Sequence, residues 1–121
     1  MVSDFSIASK KKHLVMTVTG LYEYWDFLKY PEHILDACNN HRISKVLVDV
    51  RPVIAKDISM IELFFIGEKI AQVLNTKVKL AIVWKKEALS DFLVDVASNR
   101  SAFVRVFEAP KRAEFWLLHN Y

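Results

Sequence analysis

Lys45-Val46-Leu47-Val48-Asp49-Val50 reads as a short, almost wholly apolar strand that ends on an acid. Beyond residues 51–56, Asp57-Ile58-Ser59 opens a strongly apolar helical pattern. An unbroken apolar strand suits a sheet covered on both faces. In open α/β sheets, ligands and partners dock at the carboxyl ends of strands. A helix start adds free backbone N–H groups to the same region. This junction therefore decides the fold and marks where function is to be sought.

Working outward, residues 5–9 and 14–19 alternate apolar and polar, with Lys10, Lys11 and Lys12 between them. That pattern predicts a β-hairpin with a charged turn, and Gly20 is expected to end its second strand. Residues 78–84 and 102–107 read as two further strands. Pro31 disfavours helix at Tyr30 and suits a first turn. The expectation there is a helical piece over 22–29 and a main helix over 31–40 that buries Ile34, Leu35 and Cys38. Further helices are expected over 58–74, capped by Asp57 or Ser59, over 87–98, and from Pro110 onward. A hairpin followed by alternating strands and helices implies right-handed crossovers. The fold class is α/β: a mixed sheet of about five strands, with helices packed on it.

With 121 residues, 53% of them hydrophobic, the chain suits one core, and residues 1–121 are expected to form a single domain. Two glycines and three prolines leave no flexible linker. The net charge is +3, but acidic residues alternate with the basic ones. A scattered charge of this kind is no nucleic-acid footprint. Cys38 is the lone cysteine, which fits a reducing compartment. The first residues lack signal-peptide character, and no apolar run reaches the ~20 residues of a membrane span. The expected location is the cytoplasm, without membrane insertion.

The order hairpin, Gly20, helix, Leu47-Val48-Asp49-Val50, apolar helix, Leu80-Ala81-Ile82-Val83, helix, Val104-Arg105-Val106-Phe107-Glu108, then Ala113 and Trp116-Leu117 resembles the SpoIIAA-like family. That family belongs to the STAS group of sulphate transporters and anti-sigma factor antagonists, and is related in fold to the CRAL-TRIO lipid-transfer proteins. The resemblance covers nearly the whole chain. It implies a regulatory protein-interaction module and, through the lipid carriers, an alternative role as carrier or sensor of a small apolar ligand. The antagonists carry a phosphorylated serine at the start of the helix after the third strand, in an Asp-Ser-Ser-Gly context. The matching place here reads Asp57-Ile58-Ser59-Met60. Ser59 is the implied phospho-acceptor; the second serine and the glycine are absent.

Physical chemistry gives these residues a plainer reading alongside. Ser59 or Asp57 is an ordinary helix cap, whereas a phosphate on Ser59 would add nearly two negative charges at a helix start that favours them. Asp49, Arg51 and Asp57 form a polar site between the strand end and the helix start. Met60, Ile61, Leu63, Phe64, Phe65 and Ile66 are interrupted only by Glu62, more apolar positions than one covering face uses. A second surface is implied, for a homodimer, a protein partner or a ligand cavity. Tyr24 and Trp25 belong to an aromatic concentration suited to interfaces and apolar pockets. His33, Cys38 and His41 do not match zinc-site spacing, and the chain carries no phosphate loop or nucleophile elbow. No cofactor, metal or catalytic residue is expected.

Overall fold

The predicted hairpin forms: β1 (Ser3–Ser9) and β2 (Leu14–Leu21) pair antiparallel, with Phe5 opposite Val18. This computed structural model describes residues 2–55 and 57–119. After the hairpin come α1 (Tyr24–His41), β3 (Lys45–Asp49), β4 (Val53–Ile54), α2 (Met60–Leu74), β5 (Lys79–Val83), α3 (Ala88–Asn99), β6 (Phe103–Phe107) and α4 (Pro110–Leu118). Strands β2, β3, β5 and β6 run parallel, in the sheet order β1-β2-β3-β5-β6. The described residues thus build a mixed six-stranded α/β sheet with four helices.

Two-residue periodicity divides the strands between two cores. Val46 and Val48 of β3, with Leu80 and Ile82 of β5, face the core that holds Ile34 of α1, Leu63, Ile66 and Ile70 of α2, and Leu93 of α3. Leu47, Ala81 and Val83 point the other way, onto Ala113, Trp116 and Leu117 of α4. Both faces of the central strands are covered, which explains their continuous apolar reading.

Three local expectations are corrected. Gly20 does not end its strand: at φ 91 it continues, pairing with Ser3 on one side and Val53 on the other. A Cβ there would lie 2.6 Å from the Val2 carbonyl oxygen, so glycine alone fits. Residues 24–41 form one helix rather than two pieces, with Pro31 inside it. Tyr30, expected to leave the helix, is held by its hydroxyl against Ser3 Oγ and by its ring against Phe5 and Phe27. This packing outweighs the local cost of the proline. Finally, the connection between β3 and α2, where no strand was expected, contains one. Val53 and Ile54 form β4, which extends the sheet beside the end of β2.

Candidate functional site

The site is built where β3 ends and α2 begins. Asp49, the last residue of β3, receives the Arg51 guanidinium on both oxygens, Nε at 2.9 Å and Nη2 at 2.8 Å, and the Arg51 backbone N–H at 3.0 Å. These hydrogen bonds lower the Asp49 pKa against its partial burial and raise that of Arg51. The pair is a charged clasp on the turn after β3, with its acid committed to holding backbone. Asp57 stands apart from it, exposed and in the left-handed region at φ 56. Arg51 and Asp57 line one open groove between the segment leading to α2 and the Lys85–Glu87 segment leading to α3.

Ser59 is the N-cap of α2, exposed, with extended backbone; its Oγ accepts the Glu62 N–H at 3.2 Å. Ser-x-x-Glu is the spacing of a capping box. Glu62 instead accepts the Tyr22 hydroxyl on Oε1 at 3.0 Å, tying the entry of α1 to the first turn of α2. Burial, with that carboxylate beside it, pushes the Tyr22 pKa upward. In the sequence Glu62 is only the break in an apolar run and Tyr22 one member of an aromatic concentration, and nothing there pairs them. The serine-to-glutamate spacing was available as a signal, but the partner of Glu62 lies forty positions away and had none.

Contacts across α2 fix which side faces where. Lys69 reaches Glu32 of α1 at 2.9 Å, and Glu68 reaches Arg100, past the end of α3, at 3.2 Å. Glu62 marks the α1 side and Phe64, under the Arg100 guanidinium, the α3 side. Ile61 and Phe65 fall between these, on the outward crest. Ile61 is 63% exposed and Phe65 45%, and Met60 beside them is exposed as well. Trp25, 66% exposed, opens α1 at the same end, its ring against half-buried Tyr24. Leu21 and Ile54 are exposed neighbours across the β2–β4 pairing. Of the candidate contact residues, Met60, Ile61, Phe65 and Trp25 lie on the surface, while Tyr24 and Phe64 are half-buried.

Beneath β4 lies a cavity of about 90 Å³, almost wholly apolar. Its walls are Tyr30 and Ile34 of α1, Leu63 and Ile66 of α2, and Val48 and Ile82 of the sheet. Tyr24, Trp25, Phe64 and Phe65 do not line it. Elsewhere, Cys38 is buried in the core, and burial pushes its thiol up to about 11. His33 packs its ring on Phe5, and His41 Nδ1 bonds the Ala37 carbonyl oxygen at 2.9 Å. Among the described residues no three His, Cys, Asp or Glu side chains come together to hold a metal, and no helix is long and apolar enough to cross a membrane.

This architecture is a SpoIIAA-like fold. An anti-sigma factor antagonist from Mycobacterium paratuberculosis superposes with a TM-score of 0.65 at 9% identity, over 97% of this chain and 95% of that one. An uncharacterised DUF3478-family protein with a SpoIIAA-like fold, from Shewanella loihica, gives 0.59 at 17% identity, over 95% and 93%. RsbS from Moorella thermoacetica, in a serine-to-glutamate variant, gives 0.56 at 10% identity, over 95% and 98%. No family model matches the sequence, and no curated protein does.

Proposed function

We propose that this chain is a regulatory protein-interaction module of the STAS type, acting in the cytoplasm by contact rather than by catalysis. One observation carries the reading: Met60, Ile61 and Phe65 are left exposed on the first turns of a helix whose opposite face already closes the core. An apolar crest rimmed by polar groups is the form of a contact site. The solved structures that share the fold include an anti-sigma factor antagonist and RsbS, which supports a protein as the partner. The same crest is the proposed homodimer face. Ser59 is the proposed control point, exposed and adjacent to the crest. A phosphate on its Oγ would be stabilised by the helix N–H groups, and its charge would disfavour burying Met60 and Ile61 against an apolar partner.

The test is quantitative capture of partners from the native host by wild type, Phe65→Asp and Ser59→Glu, alongside sedimentation of each purified chain. Expected is one defined protein held by wild type at fixed stoichiometry and lost from both variants, with self-association weakened in Phe65→Asp. Retention of every interaction by both variants overturns the reading.

A further inference from the structure

The cavity under β4 is walled by the buried side of α2, whereas the crest is its exposed side, so the cavity calls for its own account. Its mouth is formed by Val50, Val53, Ala55, Ile58 and Trp84, and these five residues also line the open groove of Arg51, Asp57 and Lys85. Chamber and groove are therefore neighbours that share this wall, with polar groups on its outer side and apolar walls within. Within the chamber, hydroxyls come from Tyr22 and Tyr30. The first is committed to Glu62 and the second to Ser3 Oγ. Each phenol thereby spends its one proton, and the rest of the lining is almost wholly apolar, so the chamber offers water far less hydrogen bonding than bulk solvent does. An apolar group placed there would gain dispersion contacts on every side.

We propose that this chamber is a binding site for the apolar end of a small uncharged molecule, a short branched or small cyclic alkyl group, whose polar remainder lies in the groove. Size sets the class. An engineered apolar cavity of about 150 Å³ takes up benzene. At about 90 Å³ the space here suits a body of fewer atoms and is too small for a long acyl chain. Burial of aliphatic groups on all sides supplies the affinity. Of the mouth residues, Val50, Val53, Ala55 and Ile58 lie between β3 and α2 and Trp84 follows β5, all half-buried or exposed, so the entrance lies at the surface of the molecule.

Cyclopentane and, separately, decanoate are titrated into the full methyl-labelled chain and followed by NMR. Cyclopentane should move the methyls of Leu63, Ile66 and Ile82 saturably and leave Met60 and Ile61 in place. Ile66→Phe fills the chamber and Ala55→Trp plugs its mouth; each should weaken binding by about tenfold or more. Ala55 is exposed, so that variant decides the matter if Ile66→Phe fails to fold. The site is overturned if no shift saturates, if the shifts centre on Met60 and Ile61, or if Ala55→Trp binds like wild type. Tighter binding of decanoate than of cyclopentane overturns the size class in favour of a lipid.

Discussion

Asp26 shows how one side chain fixes a terminus. It is buried near the start of α1, and its Oδ2 accepts the Ser3 backbone N–H at 3.2 Å and the Ser3 hydroxyl at 2.7 Å. Burial by itself would raise its pKa, but the Ser3 bonds to the charged form outweigh this and hold it below the ordinary 3.8. A carboxylate lowered on folding contributes stability above its unfolded pKa and loses it as the pH falls toward the folded value. Between about pH 5 and about pH 2.5 the urea midpoint of wild type should therefore fall more steeply than that of Asp26→Asn, which cannot titrate. Asp49, also lowered, contributes to the slope the two proteins share. Parallel curves would remove Asp26 from this role. Nothing local in the sequence marks Ser3 and Asp26 as partners, because their meeting depends on how α1 lies beside β1.

At the scale of elements, the sequence was read correctly where one period dominated and less well where a distant contact decided. The strands of the parallel sheet lie within a residue or two of their expected places, because their apolar runs are short and bounded. β4 is two residues long, too short for any period to show, and exists because the end of β2 offers it an edge. For the site, the Ser59 cap was legible from residue type and position, whereas the outward aim of Phe65 depended on which neighbours flank α2. Two substitutions probe α2 itself. Ser59→Ala removes the acceptor for the Glu62 N–H and should cost about 0.5–2 kcal/mol in chemical denaturation, while Ser59→Asp should keep most of it. Gly67 sits where α2 meets α3, and a Cβ there would stand 2.9 Å from Val96 Cγ1 and 3.2 Å from the Leu93 carbonyl oxygen. Gly67→Ala should cost about 1–3 kcal/mol by overpacking, despite alanine's better helix propensity. A neutral or stabilising result would mean that α3 yields easily at this contact.

For the molecule as a whole, the question is whether the exposed apolar residues belong to its stability or to something outside it. The chain exposes 7075 Å², close to the roughly 6,700 Å² expected of a folded monomer of its mass. The crest is thus no by-product of a loose structure. Leu63, Ile66, Ile70 and Leu74 close the helical side of the core, and Trp116 and Leu117 close the other, without help from Ile61 or Phe65. Selection for folding alone would place polar residues on that crest, as it does with Glu68 and Gln72 further along the helix. The double variant Ile61→Lys/Phe65→Lys should therefore leave the urea midpoint within about 0.5 kcal/mol of wild type, the usual range for surface substitutions away from special features. Self-association and partner capture should be lost over the same concentrations. If the variant instead unfolds several kcal/mol more easily with its associations intact, these side chains serve the fold, and the working face lies elsewhere.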